Sequence, residues 1–479
     1  MDLKKLLYFS KFPTGILALI LLISLAIRVY NLNYNSPFLD EAQYIVLGQK
    51  VLAGHWQESN PFSWVGGMPL FYPTLSAIFG VFGIIGSRFF NVLLGVLSVY
   101  LIYEFTKSLR FSSNESEDKV TGFIAGSFLA ILTVPIYLSR LAIYDMLSFT
   151  LFLLGIVFFI KGLTLLKPAL WQRENRFSLA AIAFASSFLA KYIVLIFLPF
   201  IVFLGLWHIR REGMKQLKVY IKYFIIPLGI IVGGYIIWQF NALLHFQTEQ
   251  ISASESQSFN IARNFFTYSL PVLIPALVGS VLLFVNKHKI IPVILLGFAL
   301  ITPVIHIATN NLAASVQHTF LTIIFLLPLA AYAFLSILRR WRFVGSIFLI
   351  GILVGTLSYT YLQLRILEAT WPNTNAVMGY LKKNTTNHEK VLSSQDDVTI
   401  LALPNLNDKN ITGIYMFEYK NRTGDDAYRL ALNEDYFDFV LLNDHDHQEV
   451  EKAAREALTD HYKIVYDQTP FVVYKLSRK

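Results

Sequence analysis

Apolar residues along the chain come in long unbroken runs, separated by short polar stretches rich in Lys and Arg. Runs such as 16–26, 224–237 and 320–338 approach the ~20 residues that carry a helix across a bilayer. The pattern predicts spans near 14–30, 88–106, 120–138, 143–160, 177–190, 192–208, 223–240, 268–285, 290–307, 319–337 and 343–363. Two stretches are ambiguous. Residues 68–85 are apolar enough to span but hold Pro69, Pro73, Gly80, Gly83 and Gly86. Residues 177–208 form an apolar run of 32 positions, too long for one ordinary pass, with Lys191 in its middle.

Charge resolves both. If 68–85 lies along the outer interface and 177–208 forms two short helices, 17 of the 23 Lys and Arg between Phe12 and Arg342 share a side with the basic N-terminus. That is the bias the positive-inside rule describes. The other side keeps Arg28, Lys50, Arg88, Arg140, Lys191 and Arg263. The expectation is an all-α polytopic membrane protein with about eleven spans, N-terminus inside and C-terminus outside. Lys4, Lys5 and Lys11 ahead of the first apolar run resemble a signal peptide. The run lacks a small-residue cleavage site and leads into polar 31–35, so it reads as an uncleaved first helix.

From about Ala369 the pattern changes. Residues 390–393 and 439–442 are strand-like, 448–458 has an amphipathic helical period, and 462–466 with 471–476 suggests a hairpin. From Glu368 onward there are 13 Lys and Arg against 18 Asp and Glu, and the remainder of the chain has 27 against 13. The shift from basic to mildly acidic divides a membrane domain, 1–368 with an outer loop at 31–87, from a small extracytoplasmic α/β domain, 369–479. Overall the chain is 55% hydrophobic and 15% charged, with a mean hydropathy of +0.53. Soluble domains average about a quarter charged residues. The cations sit in short loops between spans, a distribution that does not suit nucleic-acid binding. With no cysteine, disulfide and thiol chemistry are excluded. Asp444-His445-Asp446-His447 reads as a solvated turn rather than a ligand set.

Sorting by side leaves a short set of outer charges in the membrane domain: Asp40, Glu41, Glu58, Asp145, Glu249 and Glu255, with the six cations above. A charge at helix-centre depth costs on the order of 3 kcal/mol or more, so each needs water or a partner. Asp40 is placed as an N-cap, with Glu41 in the first turn of an amphipathic stretch at 41–50. Asp145, five residues after Arg140, is expected to pair with it. Lys191 can snorkel. Arg88 opens a helix, the wrong end for the macrodipole, which a nearby anion would explain. His318 reads as an interfacial histidine. A carboxylate acting as general base, beside cations that stabilise a departing phosphate, suits group transfer from a lipid phosphate at the membrane–water boundary. An ion-coupled carrier would be expected to concentrate ionisable residues at mid-membrane.

Phe38-Leu39-Asp40-Glu41-Ala42-Gln43-Tyr44 resembles the motif that opens the first outer loop of the GT-C-fold glycosyltransferases. That group includes protein O-mannosyltransferases and lipid A aminoarabinose transferases. The similarity continues, in the family's order, through Asn60-Pro61-Phe62-Ser63-Trp64, Met68-Pro69-Leu70-Phe71-Tyr72 and Gly86-Ser87-Arg88-Phe89-Phe90-Asn91. It then runs through Ser139-Arg140-Leu141-Ala142-Ile143-Tyr144-Asp145 to Leu189-Ala190-Lys191-Tyr192. The resemblance implies Asp40 as catalytic base or acceptor-side carboxylate, with Glu41 its neighbour in the motif and Asp145 the second acidic position. It implies Arg88 and Lys191 as basic positions near the lipid phosphate; Arg140, Tyr44 and His318, from their places on the outer side, are added as candidate contacts to substrate or lipid phosphate. It also implies a polyprenyl-phosphate-linked sugar donor, inversion at the anomeric centre and an extracytoplasmic acceptor (protein, lipid or cell-envelope glycan). Some members use a divalent metal, for which Asp40, Glu41 and Asp145 would be the ligands. Where many relatives carry His or Lys with paired prolines, this chain has Gly67-Met68-Pro69, so substrate identity does not carry over. The alternatives are a lipid-sugar flippase or transporter, and a non-catalytic scaffold that displays the tail domain.

Overall fold

The computed structural model describes residues 13–164, 170–250, 257–286, 288–414, 417–443 and 449–477. Lys4, Lys5, Lys11, Glu255 and the run 444–447, with Lys167 and Lys287 from the counted cations, lie outside the described residues. Helices follow as α1 (Pro13–Val29), α2 (Leu39–Leu52), α3 (Phe71–Phe79), α4 (Gly83–Ser108), α5 (Glu115–Ile131), α6 (Thr133–Ser139) and α7 (Tyr144–Leu163). Next come α8 (Leu170–Ala190), α9 (Leu198–Ile209), α10 (Met214–Trp238, with π-helical turns) and α11 (Phe240–Gln250). The long α12 (Ser258–Val285), α13 (Ile290–Ala308), α14 (Ser315–Arg340) and α15 (Arg342–Glu368) complete the apolar part. Among the described residues eight helical stretches are long and apolar enough to cross a membrane, or nine if α5 and α6, bent by 61°, are one span. Against the eleven expected, Thr14–Val29 is a shorter apolar helix. α8 begins among Arg173, Glu174 and Arg176, which shortens its apolar part. The segment 68–85 is broken: α3 ends in a 3-10 turn at Gly80–Phe82, and Gly83 takes φ +73° before α4.

The chain forms two compact units: Met1–Leu32, Gly54–Tyr72 and Ile85–Arg365 make one, and Asn33–Ala53, Pro73–Ile84 and Ile366–Lys479 the other. In the first, α14 and α7 form the centre, with 83% and 72% of their apolar windows buried against 17% for α10 and α15. In hydrocarbon, association depends on close packing rather than on the hydrophobic effect, which favours small residues at crossings. A Cβ at Gly279 of α12 would lie 1.9 Å from the Leu329 carbonyl oxygen of α14, so only glycine permits that crossing. Phe152, Phe184, Phe197, Phe298 and Phe325 stack around the centre. The α5–α6 bend follows from Leu132, which is extended, and from Pro135, which has no N–H to continue the ladder. The carbonyls exposed by the break must be satisfied inside the membrane. Arg28 does this, donating to Ala130 O (2.9 Å) and Leu129 O (3.2 Å), and also to Ser24 Oγ (2.7 Å) and Ser139 Oγ (3.1 Å). Cations that charge counting placed on one side meet acids at helix ends and turns. Lys107 and Lys161 both pair with Glu104, Arg339 pairs with Glu117, and Arg173 with Glu212 at 2.6 Å.

The second unit is α/β, as the tail pattern predicts. Its helices are α2, α3, α16 (Asn375–Asn384), α17 (Asp396–Ala402), α18 (Gly424–Asn433) and α19 (Glu449–Glu456). The strands are β1 (Val391–Ser393), β2 (Ile411–Gly413), β3 (Glu418–Tyr419), β4 (Arg422–Thr423), β5 (Phe439–Asn443), β6 (Tyr462–Gln468) and β7 (Phe471–Leu476). The main sheet runs β2-β1-β5-β7-β6, with β1 parallel to β2 and β5, and β7 antiparallel to β5 and β6. β5 is buried along its whole length. Its period-2 alternation sends Val440 and Leu442 to one core with Leu392, Tyr428 and Phe437. Phe439 and Leu441 go to the other, with Val377, Leu381, Val391, Val473 and Ala42 of α2. A first-loop helix therefore contributes to the core of the tail.

Candidate active site

In the second unit, α2 starts one residue earlier than its acidic pair suggests. Leu39 is its first residue and Phe38 its N-cap. This corrects the expectation that Asp40 caps the helix. Glu41, three residues after the cap and fully buried, does the capping: Phe38 N–H donates to its Oε2 at 2.9 Å. That is one arm of a capping box, in which the third-position carboxylate satisfies an orphan backbone donor. Asp40 stands partly exposed beside it in the first turn, where the helix dipole favours a negative charge. Tyr44, one turn on, is buried.

The loop before α2 is tied to the tail. Asn35 Nδ2 donates to Trp371 O (3.1 Å), Trp371 Nε1 to Ser36 O (3.1 Å) and Thr374 N to Ser36 Oγ (2.9 Å). The Trp371 ring lies 5.3 Å from Phe38 and 5.8 Å from Tyr34, centroid to centroid. At the far end of α2, Lys50 pairs with Asp408 at 2.9 Å, which holds the Asp408 carboxyl below its ordinary range. α17 packs along α2. Burial there pushes the Asp397 carboxyl up to about 7. Asp396 and Asp40 push in the same direction and Lys50 opposes them. A Cβ at Gly413 would lie 2.1 Å from Asp396 Oδ2, so the strand beside this acidic pair must carry glycine. None of Trp371, Asp396, Asp397 or Asp408 was singled out from the sequence. The one signal was the doublet Asp396-Asp397 at the head of a short amphipathic run.

The first unit holds the remaining expected residues. Asp145 opens α7 and forms a buried ion pair with Lys191. Asp145 was expected to pair with Arg140, so the partner is corrected. Lys191 lies at the end of α8, where the backbone turns extended and α9's 3-10 lead-in begins. That break brings its ammonium over the Tyr144 ring (4.8 Å) and the Phe149 ring (5.9 Å). Arg140 caps α6 and donates to the carbonyls of Asn31 (2.9 Å) and Tyr30 (3.2 Å). Arg88, fully buried in the first turns of α4, donates to Leu32 O at 2.9 Å. Asn91 holds the α6–α7 link through Leu141 O (2.5 Å) and Ile143 O (2.8 Å). His318 is buried in the first turn of α14. Its Nδ1 lies 2.7 Å from Nε2 of His306, a residue the sequence reading missed, and His306 Nδ1 lies 2.6 Å from Asn311 O. Two histidines twelve residues apart on different spans carry no local spacing signal.

Among the described residues no group of three or more His, Asp or Glu side chains is arranged to hold a metal ion. The set expected for that role, Asp40, Glu41 and Asp145, does not fit one: Glu41 caps α2 and Asp145 is paired with Lys191. No step below is routed through a metal.

Residues 18–248 match the family model described as dolichyl-phosphate-mannose-protein mannosyltransferase. No curated protein matches the sequence significantly. Among solved structures, the fold is similar to ArnT from Cupriavidus metallidurans bound to undecaprenyl phosphate, with a TM-score of 0.63 at 12% identity over 98% of both chains. It is also similar to the archaeal oligosaccharyltransferase AglB from Archaeoglobus fulgidus, in complex with an inhibitory peptide and a dolichol-phosphate. There the TM-score is 0.60 at 14% identity, over 98% of this chain and 75% of that one. The mycobacterial arabinofuranosyltransferase AftD gives 0.51 at 13% identity, over 98% of this chain and 40% of that one. The family match over 18–248 and the shared fold agree with the ordered motifs from Phe38 to Tyr192: the chain is a multi-span membrane protein with the fold of the GT-C glycosyltransferases.

Proposed function

We propose that this enzyme moves a sugar from a polyprenyl-phosphate donor to an acceptor outside the cytoplasmic membrane, with inversion, and that Asp40 is its base. The acceptor hydroxyl oxygen forms the new bond to the anomeric carbon as its proton passes to the Asp40 carboxylate. The bond from the anomeric carbon to the phosphate oxygen breaks, and the electron pair leaves with the phosphate. Arg88, Arg140 and Lys191 are the cations assigned to that phosphate, where charge develops. Asp145 keeps Lys191 in place, and Tyr44 borders the acceptor. The observation that carries this reading is the division of labour within one dipeptide. Glu41 is spent on the helix cap, while Asp40 presents a partly exposed carboxylate on a rigid first turn. Donor chemistry draws support from the undecaprenyl phosphate and dolichol-phosphate in the structures of ArnT and AglB.

Asp40→Asn keeps the shape and removes the base. Transfer to the native acceptor, followed by mass spectrometry of glycolipid and product, is expected to fall by about 10²-fold or more. Folding, read by thermal melting in detergent, should be unchanged. Wild-type transfer by the variant removes Asp40 from the mechanism.

A further inference from the structure

The His306–His318 pair has a direction that hydrogen-bond chemistry fixes. A backbone carbonyl can only accept, so the 2.6 Å contact between His306 Nδ1 and Asn311 O requires the proton on His306 Nδ1. In the neutral ring Nε2 is then an acceptor, so the 2.7 Å contact requires His318 to donate from its own Nδ1. That leaves a bare lone pair on His318 Nε2. The atom is shielded from solvent and has no hydrogen-bond partner among the described residues. An unmade hydrogen bond at a buried acceptor costs about 1–3 kcal/mol, and such an atom calls for an explanation.

The surroundings indicate what supplies the missing donor. The Phe149 ring neighbours both groups: Lys191 Nζ lies 5.9 Å from its centroid, and the His318 ring meets it in a T-shaped pair with centroids 6.1 Å apart. If Lys191 holds the lipid phosphate, as in the reading above on which this step rests, His318, which meets the same ring, is near enough to meet the sugar that the phosphate carries. A lone pair cannot hydrogen-bond a phosphate oxygen, but it can accept from a hydroxyl. We propose that His306 fixes the tautomer of His318, and that His318 Nε2 accepts a hydrogen bond from a hydroxyl of the sugar carried by the polyprenyl-phosphate donor. His318, a candidate contact to substrate or lipid phosphate, is thereby assigned to the sugar. His306 becomes a positioning residue. An incoming hydroxyl must displace whatever shields the atom from solvent to reach it.

The test is binding by the full chain in lipid nanodiscs. The probes are undecaprenyl phosphate alone and polyprenyl-phosphate-linked mannose, glucose, galactose and arabinose, one at a time. For the sugar lipid that binds best, His318→Phe should weaken affinity about tenfold, while undecaprenyl phosphate stays within about twofold. His318→Gln, whose side-chain oxygen reaches the place of Nε2, should recover most of the loss. His306→Phe should cost about threefold through the lost tautomer restraint. Nitrogen NMR of the wild type should show both histidines protonated at Nδ1 and bare at Nε2. Equal weakening toward both kinds of lipid, unchanged affinity for both, or a proton on His318 Nε2 in the NMR spectrum would each overturn the proposal. The NMR result stands even if a variant fails to fold. Failure of the phosphate reading shows separately, as Lys191→Ala binding undecaprenyl phosphate like the wild type. Turnover is not measured, so the role of Asp40 is not in play.

Discussion

Asp397 holds its proton up to about pH 7 in the folded protein, against an ordinary value of 3.8. Between those values an unfolded chain has lost a proton that the folded one keeps. Stability of the second unit therefore falls as pH rises through that window and levels off above it. Asp397→Asn removes the dependence. The variant should match the wild type at pH 4 and resist proteolysis of the tail better at pH 8. The gain has a ceiling of about 4 kcal/mol, which water and Lys50 reduce. The Asp145–Lys191 pair follows a different logic. Breaking a buried ion pair from one side strands the other charge, at about 3–5 kcal/mol, whereas replacing both partners can be nearly neutral. Lys191→Met is expected to lower the melting temperature markedly. Asp145→Asn combined with Lys191→Met should restore much of it without restoring transfer; a double variant no more stable than the single one refutes the pairing. Residue types and their order were legible in the sequence. Partners were not: which of two nearby cations meets Asp145 depends on the break after Ala190, and no spacing rule encodes it.

Elements were legible where a period repeats and obscure where the chain breaks. The strands at 390–393 and 439–442 and the closing hairpin stand where the pattern put them. The start of α2 shifted, because a buried carboxylate at the third position can cap as well as a residue at the cap itself. The count of spans suffered at the bend after Ile131, at the short α1, and at α8 with its charged entry. Least visible was the seat of α2. Its Ala42 lies in a core whose other members all come after Asn375, and Trp371 clamps the loop ahead of it. Removing a buried aromatic costs about 3–5 kcal/mol. Trp371→Ala should therefore speed amide exchange across Leu39–Leu52 by at least tenfold while α14 exchanges as before. Unaltered exchange in α2 means the clamp does not hold it.

At the scale of the molecule, cations assigned to one side from the sequence pair with acids at helix ends and turns, linking Glu104, Glu117 and Glu212 to Lys107, Lys161, Arg173 and Arg339. The chain has no cysteine, which makes sidedness testable with single introduced thiols at exposed positions. Lys463→Cys should react with a membrane-impermeant maleimide on intact cells, and Lys215→Cys only after permeabilisation; the reverse pattern inverts the topology. The interleaving of the second unit also bears on how the protein is made. Asn33–Ala53 leaves the ribosome early, yet the strands that bury its helix begin after Ile366. About 310 residues separate the two, roughly 15–60 s of synthesis at ordinary elongation rates. During that time α2 waits without its core. Any chain that stops before the last strand is a membrane protein whose Asn33–Ala53 segment lacks its core, so the seat of α2 is complete only when translation is.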